Sequence, residues 1–262
     1  MLCFVHFTAH SIMLYCLCFL VNDMTIFSVK LADVNIGVTS IYDTTKIFCT
    51  DYLTNDLPDF TVTITESDIE HEKNKSRKHS PDLKFTPEYL ETLAVYRKIA
   101  ERMPEYDTIL FHGSVIAVDG IAYMFTAKSG TGKSTHARLW RELLGSRAVM
   151  INDDKPLLKI TDTAVTAYGT PWNGKHRLGS NTSAPLKAVC VLSRSEQNGI
   201  EPLTKAEALK HLYTQTYRPE SLTSAQKTMK LIDDLANTVK LYSLKCNMHP
   251  TAAQTAYNAI KD

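Results

Sequence analysis

Short apolar runs separated by turns dominate the first part of the chain and predict β-strands. Strands are expected at residues 26–32, 34–38 and 60–65, the last with strict alternation of apolar and polar positions. A short helix is expected at residues 45–53. Residues 70–84 are polar and charged, with almost no large apolar side chain, so we expect a solvated loop there.

The rest of the chain alternates between strand-like and helix-like periods. Asp119-Gly120 between two apolar runs predicts a hairpin of residues 114–118 and 121–125, and a second hairpin is expected at residues 156–160 and 164–168. The remaining expected elements are helices at residues 87–103, 136–144, 205–214, 222–237 and 251–260, and strands at residues 109–111, 148–151, 186–192 and 240–245. We therefore expect an α/β fold with an α+β tendency.

These elements divide the chain into three segments. Residues 1–23 contain the apolar run 12–21, which is too short for a membrane span and lacks the features of a signal peptide. We expect this extension to precede the physiological start at Met24, and a weak membrane anchor is the alternative. Residues 24–107 are expected to form a small α+β region rich in strands. Residues 108–262 carry the candidate chemistry.

One loop between an expected strand and an expected helix has the pattern of a phosphate-binding site. It reads Ala127-Lys128-Ser129-Gly130-Thr131-Gly132-Lys133-Ser134-Thr135. In such a loop the backbone N–H groups and the first turn of the helix point at phosphates, the lysine reaches the β/γ-phosphates and the serine binds Mg²⁺. Residues 129–135 therefore predict nucleotide binding, and a glycine-rich turn without a ligand is the alternative.

A pair of carboxylates follows the next expected strand. Asp153 and Asp154 stand where a P-loop protein places the carboxylate that shares Mg²⁺ with the loop serine, here Ser134. One aspartate suffices for the metal, and the second is free to accept a proton as a general base. We assign Asp153 to the metal and Asp154 to the base. The reverse assignment stays open because adjacent side chains at a strand end point in different directions.

Two further segments carry side chains that could reach the phosphates. His112-Gly113 precedes the first hairpin, and a lone histidine at a strand end is otherwise a structural residue. The loop at residues 170–177 supplies Lys175 and Arg177, and a cation on the transferring phosphoryl group stabilises its transition state. A surface turn is the alternative for this loop.

Composition narrows the range of partners and compartments. The 29 basic and 28 acidic residues give a net charge of +1, so we expect neither nucleic acid nor an anionic membrane as a partner. The six cysteines include no C-x-x-C pair, and free thiols in a reducing cytosol are the simplest account. We therefore expect a cytoplasmic protein.

Taken together, the motifs resemble those of HPr kinase/phosphorylase. His112-Gly113, the Asp119-Gly120 hairpin, the phosphate-binding loop and Asp153-Asp154 follow one another in the order of that family. The loop is also similar to that of ATP-dependent phosphoenolpyruvate carboxykinase. The resemblance covers roughly residues 110–260. It implies a P-loop fold of this type with a mixed, largely antiparallel sheet.

The resemblance also implies Mg²⁺, ATP and an acceptor that carries a hydroxyl group. Asp153 and Asp154 match the aspartate pair that binds metal and serves as base, and His112 matches the active-site histidine. Ala127 departs from the usual loop pattern, which has glycine at this position. The segments by which the family contacts HPr, and its usual regulatory domain, are not evident in this chain.

We therefore expect a kinase that transfers the γ-phosphate of ATP to a hydroxyl of a protein, peptide or small molecule, most simply a seryl hydroxyl. The expected catalytic residues are Asp154, His112 and Arg177. The alternatives are a nucleotide-binding regulatory module that transfers nothing and a carboxykinase-like lyase. Self-association of the chain stays open.

Overall fold

The N-terminal part of the chain is a four-stranded sheet covered by helices. The computed structural model describes residues 24–79 and 81–261, so the expectation about residues 1–23 lies outside the described residues. The elements here are β1 (Thr25–Leu31), β2 (Val34–Ser40), α1 (Asp43–Phe48), β3 (Leu53–Thr54), β4 (Phe60–Thr63), α2 (Glu66–His79) and α3 (Pro87–Arg102). The sheet has the order β3-β1-β2-β4. The helix expected at residues 45–53 is the shorter α1, followed by a 3₁₀ turn at Thr50–Tyr52.

The expectation of a solvated loop at residues 70–84 was wrong for residues 70–79, because α2 continues to His79, whereas residues 81–84 form a turn and loop. Its inner side is held against α3 mainly by charge pairs. The buried Glu72 carboxylate accepts two hydrogen bonds from the Arg97 guanidinium, one of them 2.8 Å long, and Asp68 accepts one of 2.6 Å from Lys98. Since Ile69 is the buried apolar residue of α2, a prediction based on apolar periodicity misses this helix.

The second part is built on one larger sheet. Its elements are β5 (Thr108–Leu110), β6 (Ser114–Val118), β7 (Ile121–Thr126), α4 (Lys133–Leu144), β8 (Ala148–Asn152), β9 (Leu157–Ile160), β10 (Val165–Tyr168), β11 (Ser183–Arg194), β12 (Gly199–Pro202), α5 (Lys205–Gln215), α6 (Leu222–Thr238), β13 (Lys240–Cys246) and α7 (Thr251–Ile260). All helices and strands expected after residue 86 are present. The short strands β3 and β12 were not predicted, and β11 is longer than its apolar run.

The strand directions make this a mixed sheet. Its main path runs β5-β9-β10-β11-β7-β6-β8, and β13 pairs with both β11 and β12. The strand β11 is parallel to β7 and β13, whereas the other pairs are antiparallel. The expected mixed α/β architecture is confirmed. None of the helices within residues 24–79 and 81–261 has the length and apolar character that a bilayer crossing requires.

Helices cover both faces of the larger sheet because side chains of its central strands alternate between two cores. In β6, Val115 and Ala117 join the core beneath α5 and α6, while Ile116 and Val118 join the core beneath α4 and α7. Trp140 of α4 is fully buried in the second core, with its ring centroid 5.1 Å from that of Phe125. Because α4 is held by this buried contact, its first turn, at the end of the loop that follows β7, has a fixed position.

Trp172 connects the two parts of the chain. Its indole N–H donates a 2.9 Å hydrogen bond to the carbonyl of Thr92 in α3. Its ring lies 5.9 Å from that of Phe48 and 5.7 Å from that of Tyr96. Trp172 belongs to the core cluster of the N-terminal part, so the loop that carries it is anchored outside its own sheet.

The α2–α3 contact yields a stability prediction. Glu72→Ala leaves the Arg97 guanidinium in a mostly buried position without its carboxylate, which lowers the free energy of unfolding by about 3 kcal/mol. The matched control is Glu70→Ala in the same helix, which removes an exposed ion pair with Lys73 and should lower the free energy of unfolding far less, because water screens exposed charges. Urea unfolding followed by circular dichroism measures both. Equal losses in the two variants would contradict this account of α2.

Candidate functional site

Several segments of the larger sheet end at the same edge. The strands β7 and β8 run in the same direction because both are antiparallel to β6. The loop after β7, the aspartates after β8 and the residues at the start of β6 therefore meet. They surround a cleft of about 470 Å³ whose lining includes His112, Lys133, Asp153, Asp154 and Lys175.

The backbone of the loop between β7 and α4 suits an anion. Gly130 and Gly132 have φ values of +79° and +128°, and an added Cβ at either would meet nothing within 4 Å. The backbone conformation, not lack of space, therefore favours glycine there. Gly132 is the N-cap of α4, and no side chain caps the helix, which leaves its first-turn N–H groups for a ligand. Ala127 is not among the residues with positive φ, so alanine is tolerated.

Lys133, the expected phosphate ligand, is held in the loop. Its ammonium donates a 3.1 Å hydrogen bond to the carbonyl of Ala127 and is buried. Burial lowers the pKa of Lys133, and the nearby Asp154 opposes that shift.

Arg194, at the end of β11, also contacts the loop. It donates hydrogen bonds to the carbonyls of Gly130 and Thr131. Sequence reasoning missed Arg194, because no motif marks a residue that reaches the loop from the end of another strand.

The two adjacent aspartates have different surroundings. Asp153 is buried and accepts a 2.5 Å hydrogen bond from the hydroxyl of Ser114. Burial raises the pKa of Asp153, against hydrogen bonds from Ser114 and Ser134. Asp154 is more exposed, with one carboxylate oxygen 3.6 Å from His112 Nε2 and 3.5 Å from Lys155 Nζ. Both aspartates line the cleft, but Asp153 is bound to serine hydroxyls, whereas Asp154 lies beside His112 and Lys155.

This donor set fits a magnesium ion with few protein ligands. No group of three or more His, Cys, Asp or Glu side chains within the described residues could hold a metal ion by itself. Protein-bound Mg²⁺ usually has one or two carboxylate ligands and takes its other oxygens from water and substrate phosphates. Asp153 and Ser134 supply a carboxylate and a hydroxyl of that kind.

His112 is held as a neutral imidazole. Its Nδ1 lies 2.6 Å from Oε1 of Gln215, and because an amide oxygen only accepts hydrogen bonds, we place the proton on Nδ1. Nε2 is then unprotonated and faces Asp154. Burial, together with the charges of Lys155 and Lys133, lowers the pKa of His112 to about 4. Gln215 comes from α5, far away in sequence, and sequence reasoning missed it.

The two cations expected from the loop at residues 170–177 lie in different places. Lys175 lines the cleft with the aspartates. Arg177 lies outside it, with its guanidinium carbon 5.2 Å from the centre of the Phe48 ring. Arg177 lines a neighbouring cavity that also borders Trp172.

A larger cavity of about 730 Å³ adjoins the other side of the loop. It shares Gly130, Gly132 and Thr135 with the cleft. His136 lines it as well, and its Nε2 accepts a 3.0 Å hydrogen bond from the indole N–H of Trp140. Burial lowers the pKa of His136 to about 4. The predicted loop residues therefore border two spaces, and the aspartate pair borders one of them.

Comparison with known proteins identifies the family. The chain belongs to the family described as SynChlorMet cassette protein ScmC, whose model matches residues 81–251. The structure is similar to that of an HPr(Ser) kinase/phosphatase from Coxiella burnetii, with a TM-score of 0.34 and 8% sequence identity over 57% of this chain and 95% of that chain. No curated protein matches the chain in sequence.

The environment of His112 yields a titration prediction. In the wild-type protein His112 should titrate with a pKa of about 4 and therefore stay neutral at pH 7. Gln215→Glu places a negative charge beside Nδ1 and should raise that pKa by roughly one unit or more. Nuclear magnetic resonance of labelled histidine measures both, and His136 in the same sample is the internal control because it does not contact residue 215. An ordinary pKa near 6.5 for His112 in the wild type would contradict the neutral assignment.

Proposed function

We propose that this protein is a Mg²⁺- and ATP-dependent kinase that transfers the γ-phosphate to a hydroxyl group. The observation that carries the proposal is that the two adjacent aspartates have different surroundings. Asp153 is buried between two serine hydroxyls, while Asp154 faces a cleft beside an uncapped helix and a buried lysine. A site that only bound nucleotide would not need the second carboxylate.

The phosphates would lie over the loop and the first turn of α4. The free N–H groups of that turn and the ammonium of Lys133 bind the β- and γ-phosphates, and the ammonium exchanges its present contact with Ala127 for phosphate oxygens. Asp153 and Ser134 would hold Mg²⁺, which would neutralise charge on the phosphates. The nucleoside would occupy the larger cavity, which borders Gly130 and Gly132.

Transfer needs a base that accepts the proton of the acceptor hydroxyl and a cation beside the transferring phosphoryl group. The acceptor oxygen attacks the γ-phosphorus, its proton passes to the Asp154 carboxylate, the bond to the bridging oxygen breaks, and ADP leaves. The neutral Nε2 of His112, 3.6 Å from that carboxylate, can accept a hydrogen bond once Asp154 is protonated. Lys175 lines the cleft where negative charge spreads over the transferring group.

The loop chemistry predicts the effect of two substitutions on nucleotide affinity. Lys133→Ala and Ser134→Ala each remove a charge-assisted or metal contact and should weaken binding of Mg²⁺ with a non-hydrolysable ATP analogue by about tenfold to a hundredfold. Isothermal titration measures this, with circular dichroism to verify folding. Lys128→Ala is the matched control, since Lys128 is an exposed lysine of the same loop. Unchanged affinity in both test variants would refute nucleotide binding by this loop.

The aspartate pair separates a kinase from a regulatory module. Asp154→Asn keeps the shape of the side chain but cannot accept a proton, so it should bind Mg²⁺ and ATP within a few-fold of wild type and lose transfer by about 10² to 10⁴. Asp153→Asn should instead weaken the dependence on Mg²⁺. Transfer of radiolabelled γ-phosphate onto protein, peptide and metabolite pools provides the readout. No transfer by the wild type, with nucleotide affinity unchanged in both variants, would favour the regulatory module.

A further inference from the structure

A third cavity, of about 580 Å³, lies between the N-terminal part and the loop at residues 170–177. It shares Asp154, Gly174 and Lys175 with the phosphate cleft. The larger cavity of about 730 Å³, proposed for the nucleoside, shares with that cleft only residues of the loop and the first turn of α4. A molecule in the third cavity therefore reaches the proposed base without displacing the nucleotide.

The walls of this cavity are rich in aromatic side chains. Phe48 of α1, Tyr89 and Tyr96 of α3, and Trp172 all line it. Tyr89 is 45% exposed, so part of its ring is available to a ligand. Burial and, to a smaller extent, the charge of Asp154 raise the pKa of Tyr89, in keeping with a ring that lies near the proposed base. The volume falls within the range of about 300–1,000 Å³ that small-molecule and side-chain pockets occupy.

The charge of the same lining favours an anion. Lys155, Lys175 and Arg177 face a single carboxylate, Asp154, and that carboxylate already lies 3.5 Å from Lys155 Nζ. The guanidinium of Arg177 lies over the Phe48 ring, so one cation stands directly beside an aromatic wall. Asn173 adds an uncharged polar side chain to the same lining.

We propose that this cavity binds the phosphate acceptor, and that the acceptor carries an aromatic or large apolar group and a carboxylate close to its hydroxyl. The inference rests on the proposed kinase function, because it takes Asp154 as the base. The apolar group packs against the aromatic wall, the carboxylate pairs with Arg177 or Lys175, and the hydroxyl reaches Asp154. Such chemistry occurs in a peptide with an acidic and an aromatic residue beside a serine, and in a free aromatic hydroxy acid.

Four defined probes test the recognition, each titrated into the full protein with Mg²⁺ and a non-hydrolysable ATP analogue. They are the acetylated peptide amides Asp-Phe-Ser, Lys-Phe-Ser and Asp-Ala-Ser, and free phenyllactate. We expect one of the two probes that combine an aromatic group with a carboxylate to bind at least about tenfold more tightly than Lys-Phe-Ser and Asp-Ala-Ser. Preference for Asp-Phe-Ser identifies a peptide source, and preference for phenyllactate identifies a free metabolite.

Variants assign that selectivity to the cavity. Arg177→Ala should remove most of the preference for acidic over basic probes. Its matched control is Arg218→Ala, which removes a comparable guanidinium 5.8 Å from the Tyr213 ring outside the cavity and should change nothing. Tyr89→Ala should weaken binding of the aromatic probe by about tenfold while nucleotide affinity stays within twofold of wild type.

The outcomes distinguish this inference from the function on which it rests. Equal affinity for all four probes, in a protein that binds Mg²⁺ and nucleotide normally, overturns the acceptor site and leaves the kinase proposal standing. Selectivity that survives in Arg177→Ala and Tyr89→Ala also overturns it, because recognition then lies elsewhere. Absence of nucleotide binding in the wild type overturns the kinase proposal and the acceptor role with it.

Discussion

The hydrogen bond from Ser114 to Asp153 ties together the strands on which the candidate site depends. It joins the first residue of β6 to the residue after β8 across 2.5 Å. Because β6 also pairs with β7, the same strand fixes the position of the loop at residues 127–135. The buried carboxylate of Asp153 thus has a defined position before any cation arrives. A metal or nucleotide would meet groups that are already arranged, which lowers the entropy lost on binding.

The site was predictable from sequence where its determinants are local. The glycines of the loop, the Asp119-Gly120 turn and the Asp153-Asp154 pair are short motifs whose chemistry depends on neighbouring residues. Gln215 and Arg194 were not predictable, because each contacts the site only through strand and helix packing. The helix α2 was missed for a related reason, since its charged inner side is stabilised by α3 rather than by an apolar stripe of its own.

The charges around the cleft favour an anion over a cation. Lys133 is buried, Lys175 lines the same cleft, and the positive charge of Lys155 acts on Lys133, whereas neutral His112 adds no further positive charge at pH 7. Burying an ammonium is unfavourable unless a carboxylate or phosphate compensates it. The two aspartates compensate part of this charge. A polyphosphate would compensate more, so the same cations that are costly in the free protein favour occupancy.

The bond from Trp172 to Thr92 has a consequence for how this protein can vary. It joins residues 80 positions apart, so the position of the loop at residues 170–177 depends on α3 of the N-terminal part. Each residue inserted into an α-helix rotates the remainder of that helix by about 100°. A one-residue insertion near the start of α3 would therefore turn the Thr92 carbonyl away from the indole. We expect homologous chains to keep the length of this helix between its N-cap and that carbonyl, even where its exposed side chains diverge.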